Sequence, residues 1–138
     1  EFKRLYQIHC NDKTGPYPGI IELLRELKKH NIKMGIATNK VKSAADKLNE
    51  IYFEGLIDEV AGVEDGIIPK PDRCMIDNLM KRLNATTDET LYVGDSQVDV
   101  ATARNTGLDM WRYSGDSGQE KNLRNQVPWY LLMIPWKF

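Results

Sequence analysis

Residues 90–109 read TLYVGDSQVDVATARNTGLD. The apolar run stops at Gly94-Asp95, and a second acid, Asp99, follows four residues later. The run has the length and bulk of a buried strand, and residues 97–106 carry a helix that Gly107 closes. Gly94 removes a side chain where the backbone turns out of the sheet, so Asp95 projects into the crevice above it. Its oxygens suit a hard cation such as Mg²⁺, which prefers carboxylate and water ligands. Ser96-x-x-Asp99 fits a capping box equally well, and an acid in the first turn complements the helix dipole. The two readings are compatible, because Asp99 can brace the turn and also orient a site.

Working outward, helical and strand patterns alternate. Residues 2–10 suggest the end of a helix, and NDKTGPYPG a loop broken by Gly15, Pro16, Pro18 and Gly19. Residues 19–30 place Ile20, Ile21, Leu24 and Leu27 at helical spacing, with Lys28, Lys29 and His30 in the last turn. IKMGIAT is a short buried strand ending at Thr38. Residues 41–52 read as helix and EVAG as a strand. Pro71 suits the first turn of a helix that carries Ile76, Leu79, Met80 and Leu83 on one face. DMWRY and WYLLMI are further strands. This alternation predicts an α/β domain with a mostly parallel sheet, in which function gathers beyond the carboxyl ends of the strands.

Three polar signals fall at such ends. Thr38 and Asn39 follow a strand, where a hydroxyl and free backbone N–H groups can hold phosphate oxygens; either residue could instead cap the next helix. Lys70 follows DGIIP, where it could act as a point charge on a phosphate or stand as a solvated loop lysine. Asp95 and Asp99 are the third signal. There is no Gly-rich nucleotide loop and no Ser/His/Asp set.

Composition sets the outer bounds. The chain has 138 residues, 28% of them charged, with a net charge of −1, so bulk electrostatics give no reason to expect nucleic acid or a membrane as partner. The longest apolar run, Trp129 to Ile134, ends at Pro135, far short of the roughly 20 residues of a membrane helix. Cys10 and Cys74 read as reduced thiols, consistent with a cytoplasmic protein. The start has neither Met nor signal-peptide form and reads as an interior point of a longer chain.

The ordered set Thr38, Lys70, Gly94-Asp95 and Asp99 resembles the haloacid dehalogenase (HAD) superfamily, and within it the phosphoglycolate phosphatase-like hydrolases. GIATNK resembles the family's second motif, PKPD its third and LYVGDSQVD its fourth. The likeness runs from about residue 13 to 110. It implies a Rossmann-like α/β core in three layers, α/β/α, with a parallel sheet. It also implies a Mg²⁺-dependent phosphatase acting on a small phosphorylated metabolite through an aspartyl-phosphate. By motif, Thr38 and Asn39 would bind phosphate, and Lys70 would neutralise nucleophile and phosphate. Asp95 would ligate Mg²⁺, and Asp99 would act near the metal or hold Lys70 in place.

Two departures stand out. Arg73 occupies the place of a second proline in the third motif. The first motif, D-x-D-x-T/V, which carries the nucleophile, has no match, so the first, central strand and most of the helical cap are expected to be missing. Residues 1–17 would be a remnant of cap helix and linker, and 18–138 a partial core that is inactive alone. The competing expectation is a non-catalytic phosphate- or Mg²⁺-binding or interaction module on a degenerate core.

Overall fold

The computed structural model describes residues 15–16 and 18–112, and the backbone of 132–135. The helix expected at 2–10, and with it most of the expected 1–17 segment, lie outside the described residues.

The chain runs α1 (Ile20–Lys29), β1 (Gly35–Val41), α2 (Lys42–Phe53), β2 (Glu59–Val63), α3 (Cys74–Leu83), a 3₁₀ turn (Thr87–Glu89), β3 (Thr90–Gly94), α4 (Gln97–Thr106), β4 (Asp109–Arg112) and β5 (Leu132–Pro135). Neighbouring strand residues point to opposite faces, and the core follows that period of two. Ala37 and Ala61 pack with Met75, Ile76, Leu79 and Leu83 of α3 and Ala103 of α4. Their chain neighbours Ile36 and Val60 pack on the other side, with Leu24 of α1 and Ala45 and Phe53 of α2. The sheet is therefore covered on both faces, giving three layers. That coverage is why the first four residues of β1 are all buried rather than alternating.

The strand order is β2-β1-β5-β3-β4. β1 pairs with β2 in parallel, and so does β3 with β4. β5 is antiparallel to both β1 and β3, so β1 and β3 point the same way and their carboxyl ends share one sheet edge. The place between β1 and β3, at the centre of the sheet where the resemblance sets the missing first strand, is thus filled by β5. Met133 lies opposite Gly35 on one side and Tyr92 on the other. Two buried strand edges would otherwise leave backbone groups unpaired, at about 1–3 kcal/mol each, and the nearest apolar segment removes that cost. Pro135, which cannot donate to a ladder, stands at the end of β5 opposite Thr90.

Pro71 is not in a first helical turn. α3 begins at Cys74, and a turn intervenes in which the Asp72 carboxylate accepts the Cys74 N–H at 2.8 Å. Trp111 sits on the sheet-edge strand β4 and is exposed. Proline at Met133 (M133P) would remove a donor from the centre of the sheet. It should cost about 1–3 kcal/mol in urea unfolding, the cost of a buried backbone group left unpaired.

Candidate active site

The carboxyl end of β1 is bent rather than capped. Its register with β2 runs regularly to Ala37↔Ala61 and resumes at Val41↔Val63, so Thr38, Asn39 and Lys40 stand against the single residue Gly62. A Cβ at Gly62 would lie 2.6 Å from the Lys42 Cα, so only glycine lets the bulged strand return against β2. α2 starts at Lys42 with Val41 before it, and neither Thr38 nor Asn39 caps it. Thr38 is buried, and its Oγ1 accepts the Lys40 N–H at 3.2 Å. The hydroxyl proton remains for another acceptor.

Asn39 reaches across to the loop after β2. Its Oδ1 accepts the Lys70 N–H at 2.8 Å, and its Nδ2 donates to the Lys70 carbonyl at 2.9 Å. Asn105, at the end of α4, donates to the Pro71 carbonyl at 2.8 Å. The Lys70–Pro71 bond held between them is cis. Arg73, in the place of the second proline, turns outward and pairs with Asp77 one helical turn on, Nε to Oδ2 2.6 Å.

Lys70 is no solvated loop lysine. Its Nζ donates to Asp99 Oδ1 at 2.8 Å, and both side chains are more than nine-tenths buried. The same oxygen accepts the Tyr92 phenol at 3.0 Å. Oδ2 accepts from Ser96 Oγ at 2.6 Å, from the Ser96 N–H at 3.1 Å and from the Asp95 N–H at 3.3 Å. Ser96 Oγ in turn accepts the Asp99 N–H, completing the capping box. A carboxylate offers about four acceptor positions. Five donors saturate Asp99, so the hydrogen bonds make it the holder of Lys70 and of the turn, with no lone pair left for a cation.

The opening Gly-Asp pair follows from this. A Cβ at Gly94 would stand 2.5 Å from Asp99 Cβ and 2.7 Å from its Cγ. Glycine lets the strand end against the carboxylate.

Burial works hardest on the Asp99 carboxyl and favours its neutral form. The Lys70 charge and the hydrogen bonds from Lys70 and Ser96 together outweigh it and pull the pKa to about 2. Burial, then the Asp99 charge, push Tyr92 far above the usual phenol range, so it stays a donor. Asp95 is exposed at the mouth of the strand, yet partial burial and the neighbouring Asp99 charge raise its carboxyl above the ordinary value. A bound cation would reverse that direction.

Thr38, Asn39, Lys70, Asp95 and Asp99 thus gather at the carboxyl edge of the sheet, and all five are tied by direct bonds or by neighbouring backbone. Among the described residues there is no group of three His, Cys, Asp or Glu arranged for a metal. The exposed Asp95 carboxylate has the chemistry of one oxygen ligand to a hard cation such as Mg²⁺. Asp99 does not fit without surrendering Lys70. Tyr92, Asn105 and Gly62 were not singled out in the sequence. A phenol inside a buried strand, three residues before Asp95, was the one available signal, since buried Tyr needs a partner.

G94A should displace the Asp99 carboxylate and release Lys70, costing about 3 kcal/mol in chemical unfolding, comparable to breaking a buried ion pair. Acidification provides a second check. The folded pKa of Asp99 lies below its unfolded value of 3.8, so stability from this group is complete above pH 4 and is lost as pH falls toward about 2. Unfolding free energies of D99N should lack that acid slope and lie below those of wild type at pH 7.

The family model described as "Haloacid dehalogenase-like hydrolase" matches residues 1–112. Phosphoglycolate phosphatase of Rhodospirillum rubrum is 38% identical over 95 residues, covering 67% of this chain and 39% of its own length. Pyrophosphatase PpaX of Halalkalibacterium halodurans is 25% identical over 108 residues, covering 78% and 50%. The chain therefore spans half or less of these relatives. A solved structure from Lactobacillus delbrueckii subsp. bulgaricus, assigned as a phosphoglycolate phosphatase, superposes with a TM-score of 0.75 at 38% identity, over 79% of this chain and 46% of that one. A buried lysine–aspartate pair at the shared carboxyl edge of an α/β sheet, with these matches, places the chain in the haloacid dehalogenase-like hydrolase family, on its phosphoglycolate phosphatase-like side.

Proposed function

We propose that this chain carries the phosphate-binding half of a phosphatase acting on a small phosphate monoester, phosphoglycolate-like in size and charge. The observation that carries the reading is the buried Lys70–Asp99 pair, joined through Asn39 to the bulge that presents Thr38. A lysine this tightly oriented is a fixed positive charge. Thr38 would donate its hydroxyl proton to a phosphate oxygen. Asn39 would add the second N–H of its amide, one being engaged with Lys70. Lys70 would neutralise charge on the phosphoryl group as it transfers. Asp95 would ligate Mg²⁺, with Asp99 acting on the site through Lys70. Mg²⁺, when bound, would supply charge neutralisation between phosphate and nucleophile. The nucleophile of the aspartyl-phosphate chemistry would come from an aspartate other than Asp95 and Asp99. Both are committed here, one to the crevice mouth and one to Lys70.

A second reading draws on β5. The resemblance assigns the central strand to the nucleophile, and here β5 holds that position in the opposite direction. This favours a module that binds phosphate or Mg²⁺ without turnover.

Titration calorimetry of the chain with inorganic phosphate and Mg²⁺, beside a phosphate-release assay on phosphoglycolate with the protein isolated from its native cells, separates the readings. Binding with turnover supports the phosphatase, and binding alone supports the module. No binding of either ion defeats both. In either case K70M should weaken phosphate binding by about tenfold or more, the loss of one charge-assisted contact. It should also destabilise the fold by about 3–5 kcal/mol through the orphaned Asp99.

A further inference from the structure

We propose that Asn39 is a positioning residue for Lys70, with its side-chain amide acting as a clamp on the Lys70 main chain. This deepens the phosphate-site reading and rests on it. Lys70 lies 31 residues from Asn39 in sequence, in a loop that runs from Glu64 to Arg73 between β2 and α3. Most of that loop is exposed, so apolar packing does little to hold it. Two hydrogen bonds, at 2.8 and 2.9 Å, close a ring between one amide and one residue's N–H and C=O. Asn105 secures the next carbonyl at 2.8 Å. The ammonium end is held by Asp99 at 2.8 Å. Lys70 is therefore fixed at both ends of a flexible four-carbon stem.

The chemistry requires this residue type. A carboxamide presents an acceptor and a donor side by side, matching the N–H and C=O of a single peptide residue. Aspartate would turn the donor into a second acceptor facing the Lys70 carbonyl. Serine or threonine has one oxygen and cannot span both groups. The β1 bulge supplies the place, because it brings Asn39 out of the sheet ladder toward the loop. Thr38 and Lys70 are thereby set at a fixed separation by one residue adjacent to the first and bonded to the second. A substitution at Asn39 should act on phosphate through Lys70, beyond whatever its own free N–H contributes.

The test uses the full chain with ¹⁵N labelling. Amide exchange is read at Lys70 and Tyr92, the Lys70 ammonium signal is followed, and inorganic phosphate affinity is measured for wild type, N39A and N39D. The expected result is about tenfold faster exchange at the Lys70 N–H in N39A, the cost of one unmade hydrogen bond, while N39D keeps that acceptor and loses only the bond to the Lys70 carbonyl. Tyr92 exchange should stay unchanged, which shows the fold intact. The Lys70 ammonium signal should broaden, and phosphate affinity should fall, more in N39D than in N39A. Unchanged Lys70 exchange in N39A overturns the clamp. If phosphate affinity falls while Lys70 exchange and its ammonium signal stay as in wild type, Asn39 is a direct ligand and the proposal is wrong. Should wild type bind no phosphate, the phosphatase reading falls, and the exchange comparison still decides the clamp.

Discussion

The carboxylate of Asp99 is the constraint around which this sheet edge is built. It and the Lys70 ammonium are both nearly out of water at 2.8 Å. Desolvating such a pair costs several kcal/mol per ion. At that separation, with an effective dielectric near 20, attraction returns about 6 kcal/mol. The pair therefore roughly breaks even by itself. What tips it is the further set of donors from Tyr92, Ser96 and the Asp95 backbone. Each neighbour is then accounted for by the same group: Gly94 because a Cβ would strike the carboxylate, Ser96 because it caps α4 and donates, Tyr92 because its buried phenol on β3 donates to it.

The constraint also links chain segments that are far apart in sequence. Asp99 belongs to α4, Lys70 to the loop before α3, and Asn39 to the bulge of β1. Each is bonded to the next. A polar chain of this kind transmits position rather than stability. Exposed contacts such as Asn39 with Lys70 contribute little net free energy, but they remove degrees of freedom from a loop that has few apolar anchors. The hydrophobic layers carry the stability, through Leu79, Met75 and Ile76 on one face and Leu24 and Phe53 on the other.

Much of this was readable in the chain. Helical spacing placed α1 and α3, the apolar runs placed β1 and β3, and Ser96-x-x-Asp99 marked the capping box, because these are local signals with fixed periods. The role of Asp99 was legible only as two alternatives. Spacing puts an acid in the first turn but does not say which donors surround it. The clamp by Asn39 and the partner of Tyr92 depend on residues brought together from distant segments, which no period encodes. Pro71 misled because its fixed φ suits both a first helical turn and a preceding loop. The place of β5 was illegible for a different reason. A run such as WYLLMI specifies a buried strand, but not which neighbours it takes or which way it runs.

That last feature bears on function through geometry. Neighbouring strands lie about 4.8 Å apart, so the space between β1 and β3 admits one strand and no more. β5 is antiparallel to both, and its amino end faces the edge where Thr38 and Asp95 stand. A strand able to deliver a carboxylate to that edge from its own carboxyl end would have to run parallel to β1 and β3. The two arrangements are mutually exclusive. Thr38, Asp95 and Asp99 stand beyond the last paired positions, Ile36 and Val93. The occupant of the central slot therefore decides from which direction a carboxylate could reach that edge, and it leaves the Lys70–Asp99 pair as it is.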